Sequence, residues 1–325
     1  MKFFKKCSLV ALSLMLAGSL VACSSSGGSS AEFPSKSIEL TVPFSAGGGT
    51  DSVARALADA AKDQFSQPIT VVNKTGGGGA VGMTAGAKAK ADGHALTFAT
   101  VELVTVPHTS ETQFTYEDFK PVLQVNADPA CIVVKADSKM NSIEDFINEA
   151  KSNPGKIRVG NSGVGAIWHL GAATLEKEAG VELNHVPYEG AAPAVAALLG
   201  EHIEAVACSP GEVISQVQAG ELKILGVMSD ERLEALPEVK TVKEQGYDVV
   251  VGTWRGVVAP KDTPDDVVKT LEEGFSAAAE KSEFEEFLTK ANLGYEVQGS
   301  EAFSELIKNQ DATFKSLIAD LGLSK

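Results

Sequence analysis

The sequence predicts an α/β fold, with parallel strands covered by helices. Two stretches near the start predict it. The apolar run 38–42 leads into Pro43-Phe44-Ser45-Ala46-Gly47-Gly48-Gly49-Thr50-Asp51, and the run 69–72 leads into Asn73-Lys74-Thr75-Gly76-Gly77-Gly78-Gly79-Ala80-Val81-Gly82. Each is followed by helical spacing, so each reads as strand, glycine loop, helix start. A third observation repeats the unit. Strand 157–159 meets Gly160-Asn161-Ser162-Gly163-Val164-Gly165 and then a helix running to Gly180. Ligands in such sheets gather beyond the carboxyl ends of the strands, where all three loops lie. Glycine lets main chain approach a ligand, and a helix start offers unpaired N–H groups with the positive end of the dipole. Paired loops of this kind suit an anion.

The elements follow in order. Val53, Ala54, Leu57, Ala58, Ala61 and Phe65 share one helical face, with Thr50 or Asp51 as the expected cap. The second helix is expected over 80–91, stopped by Asp92-Gly93, and a strand over 95–101. Ser142 caps a helix 143–152 that closes at Asn153-Pro154-Gly155. Helix 191–199, strand 205–208, the turn Ser209-Pro210-Gly211, helix 212–219 and strand 223–228 complete a second α/β unit, from about 138 to 250. Residues 252–260 form a strand that carries the chain onward, Thr263-Pro264 opens a helix, and two or three helices finish the chain.

The N-terminus carries an export signal. Lys2, Lys5 and Lys6 precede the apolar run 9–21, which is too short to span a bilayer. Leu20-Val21-Ala22-Cys23 resembles a bacterial lipobox. The resemblance implies cleavage before Cys23, a lipid on its sulfur, and residence on the outer side of the cell membrane. Residues 1–22 are then the signal and 23–33 a Ser/Gly tether. Removing the signal takes the formal charge from −15 to −18, which argues against nucleic acid as a partner. Of the remaining cysteines, Cys131 and Cys208 sit among apolar residues. Buried thiols are expected; a disulfide between them stays open but unsupported, since spacing alone does not show proximity.

The order of motifs resembles the substrate-binding receptors of tripartite tricarboxylate transporters. The matching pieces are Pro43-Phe44 with Gly47-Gly48 and Asp51; Asn73 with Gly76–Gly79 and Gly82; Asn153-Pro154-Gly155-Lys156; Gly163-Val164-Gly165 with His169-Leu170; Val186-Pro187-Tyr188 with Gly190; Ala219-Gly220-Glu221-Leu222; and Trp254 with Gly256 and Ala259-Pro260. The likeness spans nearly the whole mature chain. It implies a two-lobed periplasmic-binding fold of type 2, each lobe a mixed sheet flanked by helices, with lobe 1 from 34–137 plus 251–325 and lobe 2 from 138–250. It implies a monomeric receptor, without catalytic residue, cofactor or metal, that holds a small organic carboxylate between the lobes. It also implies partner membrane subunits, one large and one small.

Candidate ligand contacts on lobe 1 are Phe44, Ser45, Gly47, Gly48, Thr50, Asp51, Gly76, Gly77, Gly78, Gly79, Ala80 and Glu102. On lobe 2 they are Asn161, Ser162, Gly163, Gly165, Trp168, Tyr188 and Ser209. Trp168 and Tyr188 are expected as cleft walls and His169 as a structural histidine. Glu102 is expected in solvent; if it faces the cleft, it favours a ligand with an ammonium group. An enzyme is the alternative. Gly77 to Gly82 fits G-x-G-x-x-G after a strand, and Glu102 follows about twenty residues on, as a dinucleotide site requires. Export and the position of the loop in the second βα turn count against it. The histidines show no metal-ligand spacing.

Overall fold

The computed structural model describes residues 33–325; the expected signal 1–22, Cys23 and the tether up to residue 32 lie outside the described residues. Pro34–Lys325 packs as one compact unit. Strand β1 (Ile38–Val42) runs into helix α1 (Gly49–Ala60), β2 (Ile69–Asn73) into α2 (Ala80–Ala87), and β3 (Ala95–Thr100) into α3 (Glu102–Thr109). After β4 (Phe119–Pro129) the chain passes through β5 (Cys131–Lys135), α4 (Ile143–Ser152), β6 (Arg158–Asn161), α5 (Ile167–Ala179), β7 (Asn184–Pro187), α6 (Ala191–Leu199), β8 (Ala205–Cys208), α7 (Ile214–Gln218) and β9 (Leu222–Val227). It returns through β10 (Gly252–Pro260), α8 (Asp265–Ala279), α9 (Ser282–Lys290), β11 (Tyr295–Gly299) and α10 (Ser300–Asp320).

Two mixed sheets result, with strand orders β11-β4-β10-β3-β1-β2 and β7-β6-β8-β5-β9. Strands joined by a helix pair in parallel, as a crossover requires: β1 with β2 and β3, and β6 with β7 and β8. The strands that carry the chain between sheets enter antiparallel, β10 against β3 and β4, and β5 against β8 and β9. Inner strands read as unbroken apolar runs because both faces are covered: Ala205 to Cys208 of β8 and Cys131 to Val134 of β5 are all buried. Helices contribute one stripe each. On α10 that stripe is Phe303, Ile307, Phe314 and Ile318.

Several expectations shift. Strand β5, which precedes the boundary expected at 137/138, pairs with β8 and β9 in the second sheet. Helix α2 stops at Ala87, not at 91; residues 88–92 offer only alanine for burial. Helix α1 has Gly48, which carries no side chain, as its N-cap, so neither Thr50 nor Asp51 fills that role. Ser142 does cap α4, accepting from the Asp145 N–H at 3.0 Å. Cys131 and Cys208 face each other in register across β5 and β8, as buried free thiols. The Cys131 thiol donates to the Cys208 carbonyl at 3.2 Å.

The crossing between sheets is tight. Ala130 N–H donates to Val251 O at 2.8 Å, Met228 N–H to Ala130 O at 2.7 Å, and Val251 N–H to Met228 O at 3.0 Å. Gly252 lies in this seam, opposite Pro129. A Cβ there would stand 2.5 Å from the Asp128 carbonyl oxygen. Gly252→Val should therefore push the crossing strands apart and cost about 1–3 kcal/mol, as overpacking typically does. Urea denaturation reads this directly, and an unchanged midpoint would contradict so close an approach.

Candidate functional site

The carboxyl ends of β1, β3, β6 and β8 point their loops toward one another, and a cavity of about 20 Å³ lies between the sheets. From the first sheet's side it is lined by Phe44, Ser45, Gly48, Thr50, Thr100, Glu102, Thr253 and Arg255. Ser162, Ile167, Trp168, Gly190, Ala191 and Glu212 line it from the second. Seven of these were expected from the sequence: Phe44, Ser45, Gly48, Thr50, Glu102, Ser162 and Trp168.

Two carboxylates cross the gap in opposite directions. Glu102, at the start of α3, accepts from the Ile167 N–H at the first turn of α5, at 2.9 Å. Glu212, after β8, accepts from the Gly49 N–H at the first turn of α1, at 3.0 Å. Their remaining oxygens are held locally. The Thr100 hydroxyl donates to Glu102 Oε2, and the Ser209 N–H to Glu212 Oε2 at 3.0 Å. Each sheet thus supplies an anion to the other sheet's helix N-terminus, where the unpaired N–H groups and the dipole favour it. Glu102 is 2 % exposed, which overturns the expectation that it is solvated. Burial pushes the carboxyls of Glu102 and Glu212 above the ordinary range, and the backbone donors and Arg255 pull back against that. A third bridge ties the loops, as Ser45 N–H and Oγ both donate to Glu189 O, at 3.0 and 2.8 Å.

Arg255, on β10, is the cation of the site. It is 1 % exposed. Its Nη1 donates to Asp128 and Asn126, its Nε donates to Thr50 Oγ1 at 3.2 Å, and its Nη2 lies 4.0 Å from Glu212 Oε1. The site therefore contains a basic side chain that reasoning from main-chain donors left out. Its signal was present: a lone charge inside the otherwise apolar 254–258. Glu212 had one too, three residues after Ser209 in the S-x-x-E spacing of a capping box. Ile167, Gly190, Ala191, Thr100 and Thr253 carried no sequence signal of their own; the register of the loops brings them in.

Other expected contacts have other work. Asp51 Oδ2 accepts from the Gly47 N–H at 2.9 Å, while Arg55 Nε and Asn73 Nδ2 donate to its carboxylate. Burial raises the Asp51 pKa, but Arg55, Gly47 and Asn73 outweigh that and hold it low. Asn73 also donates to Phe44 O at 2.9 Å. Asp51 and Gly47 thus lock the shape of the first loop and do not line the cavity. Gly76 to Gly79 all have positive φ, which explains the glycine run. This second loop, with Ala80, stands away from the cavity and packs on the 163–166 turn: a Cβ on Gly163 (φ +125°) would lie 2.7 Å from Gly78 Cα, and one on Gly78 would lie 3.0 Å from Val164 O. Gly165 packs on Thr109. Asn161 Oδ1 accepts from the Gly163 N–H at 3.0 Å, Tyr188 is half-buried beside Gly160, and Ser209 is buried behind Glu212. Among the described residues no group of three or more His, Cys, Asp or Glu is arranged to hold a metal. The Ser162 hydroxyl and Asn161 Nδ2 are buried without a hydrogen-bond partner.

Two facing sheets, crossed by short connections and enclosing polar groups from both sides, define a binding protein of the periplasmic type. Residues 53–323 match the model of the tripartite tricarboxylate transporter family receptor, and the chain belongs to that family. It is 33% identical over 303 residues to the UPF0065 protein in the tcbD-tcbE intergenic region of Pseudomonas sp. (strain P51), covering 90% of this chain and 88% of that one. It is 33% identical over 246 residues to the protein BugT of Bordetella pertussis, covering 74% and 75%. Among solved structures it superposes on the periplasmic binding protein BugD with a TM-score of 0.87 at 32% identity, over 90% of this chain and 100% of that one. A TctC solute binding protein from Polaromonas gives 0.65 at 40% identity, over 89% and 99%.

Two outcomes follow from the buried charges. Arg255→Met leaves Asp128 and Glu212 buried without their cation, and should cost about 3–5 kcal/mol in urea denaturation; a loss under about 1 kcal/mol would mean those carboxyls do not depend on the guanidinium. His169 accepts from the Gly165 N–H through Nδ1 at 3.1 Å and meets His185 edge-on at 4.8 Å, as a structural histidine should. Burial, then the His185 ring, lowers its pKa to about 4. Its folded pKa is depressed, so the unfolded chain takes up the proton first as pH falls. Stability should be full above about pH 6.5 and drop by up to about 3 kcal/mol toward pH 4. His169→Gln should flatten that slope, and equal slopes in the two proteins would assign it elsewhere.

Proposed function

We propose that this chain is an extracytoplasmic, lipid-anchored receptor that captures a small organic carboxylate and delivers it to a secondary transporter of large and small integral membrane subunits. The observation that carries the reading is the interlobe cavity with the Ser162 hydroxyl buried on its wall and without a partner. A buried hydroxyl left unpaired costs free energy, and a solute oxygen would relieve it. Arg255 Nη2, on the cavity wall from β10, and the Asn161 amide, at the end of β6 beside Ser162, are the further donors. Each hydrogen bond to a carboxylate contributes roughly 1.5–3 kcal/mol net, so three or four reach micromolar affinity after the loss of ligand freedom. At about 20 Å³ the cavity has room for about one water, so a solute enters only when the sheets part about the 128–131 and 228–252 crossings. We read it as a receptor and not an enzyme, in keeping with the receptor family to which it belongs. The membrane anchor rests on Leu20-Val21-Ala22-Cys23.

Thermal unfolding against a panel of carboxylates and NAD tests the proposal. A ligand at a hundred times its Kd stabilises by about 2.7 kcal/mol. For a protein of this size that is a rise in Tm of about 5–10 °C. We expect the rise with one or more carboxylates and none with NAD; a rise with NAD alone would overturn the receptor reading.

A further inference from the structure

We propose that the solute carries an ammonium group beside its carboxylate, held between Glu102 and Glu212, so that the receptor selects zwitterions over plain organic acids. This rests on reading the cavity as a carboxylate cleft. The argument begins with what occupies the helix starts. Ile167 N–H and Gly49 N–H are the first donors of α5 and α1, and each is already answered by a glutamate from the opposite sheet, at 2.9 and 3.0 Å. A solute carboxylate brought to either end would stand against a like charge in a low-dielectric setting.

The balance of charge on the walls points the same way. Among the described residues Arg255 is the one cation lining the cavity, and its Nη1 is committed to Asp128 and Asn126, so Asp128 takes up its charge. Glu102 and Glu212 remain. A helix N-terminus offsets about half a charge. Two such ends leave the cavity negative by about one charge, and a bare anion would add to it. An ammonium group cancels it, and Phe44 and Trp168 among the lining residues are aromatic, a residue type that also suits a cation. The carboxylate end then has a separate place, because the Ser162 hydroxyl is 97 % buried, unpartnered and on the same cavity wall.

Calorimetric titration of the full chain decides, using matched sets of probes: α-amino acids, the same skeletons without the amino group, and the same skeletons without the carboxylate. We expect binding by one or more amino acids, and binding at least tenfold weaker once the amino group is removed. Glu102→Gln and Glu212→Gln keep an acceptor for the helix N–H but remove the charge. Each should weaken that amino acid about ten- to a hundredfold while leaving the deaminated acid unchanged or tighter. If deaminated acids bind as well as amino acids, the ammonium proposal is wrong and the carboxylate cleft stands. If amines without a carboxylate bind equally well, the carboxylate reading is wrong and the ammonium site stands. If nothing binds, both fail. Should either variant not fold, the three probe sets on the unsubstituted chain still separate these outcomes.

Discussion

The molecule depends on a reciprocal exchange of carboxylates. Glu102 leaves the first sheet to cap α5, and Glu212 leaves the second to cap α1. Neither contact belongs to either sheet alone. Each sheet presents a helix start whose N–H groups need an anion, and each finds it only when the two halves face each other. Desolvating a carboxylate is costly unless it is fully bonded. Here the two oxygens of each glutamate have separate donors, one across the gap and one at home. Polar pairing across the gap therefore helps to specify the closed arrangement. The Ser45–Glu189 bridge adds a third tie at the rim.

Arg255 sets the other constraint. It reaches the cavity from β10, next to the seam where the chain crosses between sheets, and its partner Asp128 sits at the end of β4 in that same seam. Asp128 also accepts from the Gly294 N–H at 2.7 Å, which fixes the turn before β11. One buried ion pair thus couples the floor of the cavity, the crossing strands and the C-terminal part of the first sheet. Buried ion pairs are costly to assemble, and replacement by apolar groups is often neutral for stability. The Arg255–Asp128 pair stands where the chain crosses between the sheets and beside the cavity, which fits a role in positioning.

Much of the fold was legible because local signals and burial agree. Helix 191–199 and strands 205–208 and 252–260 have in the structure the bounds their apolar runs imply. The assignment of β5 was not legible. Cys131 to Lys135 is an apolar strand compatible with either sheet, and only its register with β8 and β9 decides. The site divides in the same way. Loops at strand ends announced Ser45, Gly48, Thr50 and Ser162, since their composition is local. Glycine count did not separate a loop that lines the cavity from one that packs on its neighbour: Gly76 to Gly79 have the richer motif, yet they meet Gly163 and Val164. Glu212 and Arg255 act through partners far along the chain, and no spacing rule reports that.

The cavity's size gives the latch its meaning. On the receptor reading, with so little room inside, a solute would enter an open form, and the closed form would then re-form around it with the same glutamates and helix starts. A receptor held shut by its own carboxylates loses apparent affinity in proportion to how rarely it opens. That cost is tolerable only if the latch is weak, or if the solute strengthens it. A group that draws Glu102 and Glu212 together from opposite sheets would strengthen it, because it adds a partner common to both. A group that repels them would pull both latches loose. On the reading proposed above, the same two hydrogen bonds would both hold the molecule closed and discriminate among the solutes it closes on.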